Sequence, residues 1–271
     1  MIDLHCHVLP GIDDGPDSIE ESVGMCRVAV QDGVTCIVAT PHLKPGAFDV
    51  SAVRILEAIR DLTTAIRNAG LDIRVLPGTE VSVSPEIAGV VTPGAWVALN
   101  GSNYFLAEFS ALSMPVGWEA FLLSFMDRGV TPIIAHPERN AWFVRHIDAL
   151  SAVVQRGVRL QITAMSLTGG FGVAARDFCI ALLQRNLVHF IASDAHSEEF
   201  RPPRLSEAVR LAADIVGKRR AEALVGANPR AVIENRPLPD MEAVDFTSPD
   251  SGAIRENWFK RLWKFSVAHM F

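Results

Sequence analysis

Apolar and polar positions alternate along the chain in two periods. Short runs rich in β-branched residues are separated by longer stretches with helical spacing. MIDLHCH opens the chain and reads as a strand over 2–7, stopped by Pro10-Gly11. Ser18 with Glu21 three residues later is a capping-box pattern that opens a helix over 18–32. VTCIVATPH gives a strand over 34–40. Val53, Leu56, Ile59, Leu62 and Ile66 place a helix over 51–69. IRVLPGTEV is a third strand ending near Glu80, and YFLAEFS a fourth reaching Glu108. A helix over 116–128 precedes VTPIIAHPER, whose strand ends at His136. VRLQIT is a sixth strand, a helix follows over 174–185, and VHFIASDAH is a seventh strand ending at Asp194. Helices over 205–217 and 219–226 complete the pattern. Strand–helix alternation of this kind predicts a parallel sheet, open or closed into a barrel.

The strand ends decide between those two. His5 and His7 end the first strand, His42 follows the second, Glu80 the third, Glu108 sits on the fourth, His136 ends the fifth, and Asp194 and His196 the seventh. One polar residue at a strand end is an ordinary loop residue; six of seven ends carrying a metal-competent group is a pattern. In a closed β/α barrel these ends converge on one face, whereas an open doubly wound sheet collects ligands only at its switch point. The expected fold is therefore an α/β, distorted (β/α)7 TIM-like barrel over residues 1–239. Residues 240–271 follow as an acidic linker and an amphipathic helix.

Side chains of a strand alternate faces, so His5 and His7 share one face and Cys6 the other. The candidate ligands are His5, His7, Asp14, His42, Glu80, Glu108, His136, Asp194 and His196. Imidazole with carboxylate suits Mn, Fe or Zn, and nine donors suit two or three ions. Clustered divalent ions generate hydroxide from bound water at neutral pH and clamp phosphoryl oxygens. Arg139 in HPER and Arg201 in EEFRPP follow ligands closely, and arginine binds phosphate oxygens as a fork.

Charge and composition narrow the field further. The net charge of −6 argues against a general nucleic-acid surface, and a hydrophobic content of 49% argues for a large buried core. No apolar run of about 18 residues is present, and a site beginning at His5 leaves no room for a removable leader. Cys6, Cys26, Cys36 and Cys179 form no CxxC pair and read as buried thiols of a reducing cytosol. Cys179 and Arg185 match the C-x5-R spacing of cysteine-dependent phosphatases, but the intervening IALLQ reads as helix interior and offers no phosphate-cradling loop. His189 reads as a strand residue away from the site, and His146 and His269 as surface groups.

MIDLHCHVLPGIDDGP, TPH, GTEV, AEFS, AHPER, SLTGGFG, SDAH and NPRAVIENRPL, in this order from Met1 to about Pro239, resemble the PHP-type (polymerase and histidinol phosphatase) tyrosine phosphatases encoded with bacterial capsule and exopolysaccharide genes. The resemblance implies a metal-dependent protein-tyrosine phosphatase with three divalent ions, commonly manganese. It implies a phosphorylated tyrosine autokinase of polysaccharide export as substrate. Because clustered ions ionise bound water and a phenolate leaves readily, the expected reaction is direct attack of metal-bound hydroxide on phosphorus. It also implies a ligand for each ion: His5, His7, Asp194 and Glu80 for the first; Glu80, Glu108 and His136 for the second; Asp14, rather than its neighbour Asp13, with His42 and His196 for the third. Arg139 and Arg201 match the phosphate-binding arginines. Two positions depart from the family pattern and bear on substrate preference: Leu43 stands where a second histidine is common, and Asn140 where tyrosine is common.

Two other functions remain to be weighed. A small-molecule phosphoesterase resembling histidinol phosphatase would share the metal site, but AHPER and SLTGGFG favour the protein phosphatase. A metal-loaded docking module without turnover would not need the full ligand set and both arginines. The expected location is the cytoplasm. The tail NWFKRLWKFSVAHMF carries Trp258, Leu262 and Phe265 at helical spacing beside Lys260, Arg261 and Lys264. It suits either peripheral contact with the inner face of the membrane or docking on the barrel or a neighbouring subunit of a homo-oligomer.

Overall fold

The computed structural model describes residues 1–48, 50–111 and 114–238. The tail 240–271, with the amphipathic segment and His269, lies outside the described residues. Among the described residues nine strands run β1 Ile2–Cys6, β2 Cys36–Ala39, β3 His42–Leu43, β4 Arg74–Pro77, β5 Glu80–Ser82, β6 Tyr104–Glu108, β7 Thr131–Ala135, β8 Arg159–Thr163 and β9 Phe190–Ala192. The α-helices of the described residues are α1 Ile19–Gln31, α2 Ala52–Asn68, α3 Trp118–Met126, α4 Ala141–Arg145, α5 Ile147–Gln155, α6 Ala164–Leu167, α7 Val173–Gln184, α8 Ser206–Val216, α9 Lys218–Ala223 and α10 Ala227–Ile233. Every ladder is parallel.

The expected third strand is broken in two, and the second, expected over 34–40, ends at Ala39 with a further short strand beyond Pro41; proline is the cause. Pro41 separates β2 from β3, and Pro77 ends β4 before Gly78-Thr79 leads into β5. Proline donates no hydrogen bond to a ladder. Gly78 is also a close approach: a Cβ there would lie 2.9 Å from Val38 Cγ1 and 3.0 Å from Leu99 Cδ2. The ladders consequently form two sheets, β1-β2-β4 and β3-β5-β6-β7-β8-β9, and do not close into one continuous barrel. The strands still follow one another around a ring. At their C-terminal ends β3 and β5 carry the pairing from β2 and β4 across to β6. On the other side Asp194 N donates to His5 O (2.8 Å) and His7 N to Ala195 O (2.9 Å).

The two open seams lie at the opposite ends of the strands, and each is filled by other backbone. The 3₁₀ turn Leu99–Gly101 packs against both β4 and β6. The Leu224–Val225 segment accepts from Ile191 N (3.2 Å) and Ile2 N (2.7 Å). Between β1 and β9 the Asp3 carboxylate completes the seam, accepting from Ser193 N (3.0 Å), His5 N (3.4 Å) and the Ser193 hydroxyl. Burial pushes this carboxyl up to about 6, while the donors from Ser193 and His5 pull it back.

Packing separates an inner and an outer core. Leu4, Val38, Leu106, Ile133 and Phe190 fill the ring, plugged from below by Ala231 and Val232 of α10. Cys6, Ile37, Ala39, Phe105, Ile134 and Ile162 face outward into the helix layer. Leu4 and Cys6 therefore lie on opposite faces although two residues apart. A β-bulge explains it: Asp3 pairs with Ile37 and Cys6 with Ala39, so β1 has one residue more than β2 over the same step. The bulge lets Leu4 enter the inner core while His5 and His7 above it both point into the mouth.

Local signals were sound where helices have caps. Ser18 Oγ accepts from Glu21 N (3.3 Å), although Glu21 reaches back to Asp17 N (2.9 Å) rather than to the cap itself. Ser51 caps α2 in the same way. The helices α4, α5, α6 and α10 were not read from the sequence. Removing the Asp3 acceptor should loosen the seam. Asp3→Leu leaves buried donors of Ser193 unpaired at about 1–3 kcal/mol each, and Asp3→Asn, which keeps one acceptor oxygen, should lose clearly less. Urea denaturation of the three proteins checks the order, and equal midpoints would remove Asp3 from the seam.

Candidate metal centre

All nine expected ligands meet at the C-terminal ends of the strands. β1 delivers His5 and, one residue beyond, His7. β3 begins with His42 and β5 with Glu80, which are register partners. Glu108 ends β6, His136 follows β7, and Asp194 and His196 follow β9. His136 and Asp194 have φ of 31° and 51°, left-handed values uncommon outside glycine. Backbone strain of this kind is held in place by its surroundings and gathers at functional sites.

His5 Nε2 and His7 Nε2 lie 3.1 Å apart. Each is 3.3 Å from Glu80 Oε2 and 3.5 Å from Asp194 Oδ1. His136 Nε2 is 2.7 Å from Glu80 Oε1. Asp14 Oδ1 is 3.2 Å from His196 Nε2 and 3.4 Å from His42 Nε2. His42 Nδ1 is 3.0 Å from Glu80 Oε2 and 3.7 Å from Glu108 Oε2. Three donor groups follow from mutual proximity: His5, Glu80, His136 and Asp194; His7, Asp14, His42 and His196; and His42, Glu80 and Glu108. Glu80 belongs to two of them. The grouping differs in detail from the family-implied one, since Glu108 gathers with His42 and Glu80, and His136 with His5.

The donors behind the cluster set its chemistry. His5 Nδ1 faces Gln161 Oε1 at 2.9 Å, and His7 Nδ1 faces Asp13 Oδ2 at 2.6 Å. If each Nδ1–H donates outward, each Nε2 turns a lone pair toward the other and toward the carboxylates. Two facing lone pairs beside buried carboxylates require positive charge between them. The buried His42 Nδ1 and Glu80 Oε2 likewise have no hydrogen-bond partner. Without an ion, protons carry that charge. Burial opposes an imidazolium at His7, yet Asp13 and Glu80 outweigh it and raise its pKa. Burial would raise Glu80, but His5 and His136 hold it well below the ordinary carboxylate range. Asp194 is lowered to about 2, burial being overcome by His5 and His136. Imidazoles and carboxylate oxygens of this kind fit divalent first-row cations.

Sequence reading placed Asp14 in the site and set Asp13 aside. Asp14 is half exposed at the mouth, whereas Asp13 is buried, orients His7 and accepts from His42 N at 2.9 Å. Gln161, behind His5, and Ser82, whose hydroxyl donates to Glu108 Oε2 (2.8 Å), were missed. A glutamine inside the apolar strand VRLQIT was the available signal. Gly15 also belongs here, because a Cβ would lie 2.4 Å from His7 O.

Arg139 and Arg201 flank the cluster. Arg139 donates to Asp194 Oδ2, and Arg201 forms an ion pair with the same oxygen at 2.7 Å while donating to Asp194 O at 2.8 Å. The two departures stand beside the site. Asn140 is buried and caps α4, accepting from Trp142 N and Phe143 N (both 2.9 Å) and donating to Ser110 O (2.6 Å). Leu43 packs against the outer core. Cys179 is buried inside α7 with its thiol pushed well above the ordinary value by burial. His189 lies buried at the far end of β9 and is lowered to about 3 by burial and Arg159. His146 is exposed, stacked on Trp142.

Fold and site together define a barrel-like ring of parallel strands and helices carrying a cluster of histidines and carboxylates able to hold metal ions. Residues 1–234 match the family described as capsular polysaccharide synthesis, CpsB/CapC, and the chain belongs to that family. It is 35% identical over 209 residues to the tyrosine-protein phosphatase YwqE of Bacillus subtilis (strain 168), covering 77% of this chain and 82% of that protein. It is 38% identical over 205 residues to the putative tyrosine-protein phosphatase CapC of Staphylococcus aureus, covering 74% and 79%. Among solved structures, one from the work on YwqE of Bacillus subtilis and CpsB of Streptococcus pneumoniae, described as unique metal-dependent tyrosine phosphatases, superposes with a TM-score of 0.85. Its identity is 32%, with 90% of this chain and all (100%) of that one covered. A β-aspartyl dipeptidase of Fervidobacterium islandicum, at a TM-score of 0.53 and 15% identity, shares the fold alone.

Residues that orient a ligand typically change metal affinity by about 10–100-fold when removed. Asp13→Ala and Gln161→Leu should each do so while the protein stays folded, as measured by competition with a chelating dye. Wild-type affinity in both variants would return these residues to purely structural roles.

Proposed function

We propose that this protein is a metal-dependent protein-tyrosine phosphatase. It hydrolyses phosphotyrosine on a tyrosine autokinase of polysaccharide export and so regulates capsule or exopolysaccharide synthesis. The observation that carries this reading is the convergence of nine histidine and carboxylate donors with two arginines at one mouth, in a chain of the CpsB/CapC family. Three divalent ions, manganese in the first instance, would be held by His5, His7, Asp194 and Glu80; by Glu80, Glu108 and His136; and by Asp14, His42 and His196. The mixed set of five imidazoles and four carboxylates admits iron or zinc as well as manganese.

When bound, such ions lower the pKa of water and clamp phosphoryl oxygens as Lewis acids. The protein's own residues do the rest. Asp13 and Gln161 keep Nε2 of His7 and His5 turned inward. Ser82 donates to the Glu108 oxygen that faces His42 and so fixes the orientation of that carboxylate. Arg139 and Arg201 are 32% and 25% exposed, so their guanidiniums reach both the buried Asp194 and the opening. From there they can take the equatorial oxygens of a phosphoryl group as it becomes trigonal bipyramidal. A phenolate, with a conjugate-acid pKa of about 10, leaves more readily than an alkoxide, which suits a site without an obvious general acid at its rim. The thiols take no part: Cys6, Cys26, Cys36 and Cys179 are all buried, and burial raises the pKa of each.

No helix among the described residues is long and apolar enough to cross a membrane. The tail 240–271 would provide any membrane or subunit contact.

Hydrolysis of a phosphotyrosine peptide should cease on exhaustive chelation, return with manganese and survive Cys179→Ser. Activity after complete metal removal, or its loss in folded Cys179→Ser, would sink the assignment. Faster turnover of histidinol phosphate than of the peptide would favour the small-molecule reading. Arg139→Ala and Arg201→Ala should leave metal content intact. Losing a charge-assisted contact costs about 1.5–3 kcal/mol, so kcat/KM should fall roughly tenfold to a hundredfold. Kinetics within about twofold of wild type would make both arginines surface groups.

A further inference from the structure

The stretch SLTGGFG, residues 166–172, takes no part in the chemistry above, yet its backbone is closely specified. Gly169 N donates to Ser166 O (3.1 Å), Gly170 N to Met165 O (2.8 Å) and Gly172 N to Gly169 O (2.9 Å). Gly169 and Gly172 have φ of +94° and +91°, which L side chains rarely adopt, and a Cβ on Gly170 would lie 2.6 Å from Met165 Cγ. The large side chain of this glycine-rich turn is Phe171, which is partly buried.

Strand order gives Phe171 its setting. β8 lies between β7 and β9. Arg139 follows β7, Arg201 follows β9, and Phe171 stands on the turn after β8, between them. Arg139 Cζ is 4.8 Å and Arg201 Cζ 5.6 Å from the centroid of the Phe171 ring. Both lie within the range at which a guanidinium is attracted to an aromatic face. The same two guanidiniums meet on one oxygen of Asp194. Two like charges brought that close repel, so they need shared partners to stay together. Asp194 is one partner, and the Phe171 ring is the other.

We propose that Phe171 is a positioning residue, whose ring holds the Arg139 and Arg201 guanidiniums at the spacing that receives a phosphoryl group. The proposal rests on the reading of both arginines as phosphate-binding groups. It assigns to the ring an electrostatic role that an aliphatic side chain of similar bulk cannot fill.

The test uses the full-length, metal-loaded protein with Phe171→Leu, Phe171→Tyr, and mono-, tri- and pentafluorinated phenylalanine at position 171. Fluorination weakens the negative ring face with little change in shape. Two measurements are made: the dissociation constant of inorganic phosphate by calorimetry, and KM and kcat for an aryl phosphate. Phosphate affinity should weaken and KM rise in step with fluorination, reaching roughly fivefold or more in Phe171→Leu. Phe171→Tyr should stay near wild type, and metal content should not change. Constants that are flat across the fluorinated series, or a fall in kcat alone, would overturn the proposal. Arg139→Ala and Arg201→Ala are run alongside. If they too leave phosphate affinity unchanged, the reading of the arginines fails and this proposal fails with it. If they weaken it while the fluorinated series stays flat, the role of Phe171 alone is lost.

Discussion

Two buried carboxylates, Glu80 and Asp194, sit among imidazoles beneath the mouth of the strand ring, and the rest of the structure answers to that constraint. An ionised carboxylate away from water is costly unless positive charge stands beside it. Here the charge is supplied from every side. His5, His7, His42 and His136 surround Glu80, while Arg139 and Arg201 meet on Asp194. Such an arrangement gains its full value when the charges between the donors are divalent ions, because one cation then satisfies several donors at once.

Bringing these groups together requires a ring of strands only at one end. The ladders are continuous around β3-β5-β6 and bridged between β1 and β9 at the mouth, while at the other end a 3₁₀ turn and the Leu224–Val225 segment fill the seams. The inner core beneath the site is apolar and plugged by α10, which gives the ligands a floor that does not yield. The bulge in β1 does related work: it keeps Leu4 in that floor and still presents His5 and His7 together above it. Orientation then falls to a second layer, Asp13 and Gln161 behind the histidines and Ser82 behind Glu108.

Much of this could be read along the chain. Strand ends carrying His5, His7, His42, Glu80, Glu108, His136, Asp194 and His196 announced both the barrel and the centre, because parallel strands place all their C-terminal ends on one side. HxH alternation removed Cys6 from the ligand set, and the helix interior around Cys179 removed a cysteine mechanism. Less could be read where elements are short. The helices α4, α5, α6 and α10 carry too few turns or too many interruptions for their period to stand out. The proline breaks at Pro41 and Pro77 were visible as residues, but not as the points at which one sheet hands over to the other.

The sequence by itself determined the class of fold and the set of candidate donors, since periodicity is a local property and donor type is carried by single residues at strand ends. Only the tertiary structure decided which candidate donors lie nearest one another. Glu108 joins His42 and Glu80, His136 joins His5, and Asp13 serves from behind while Asp14 faces the opening. Those relations depend on angstrom-scale distances between residues far apart in the chain, set by strand stagger, a single bulge and the packing of the floor, and no local pattern encodes them.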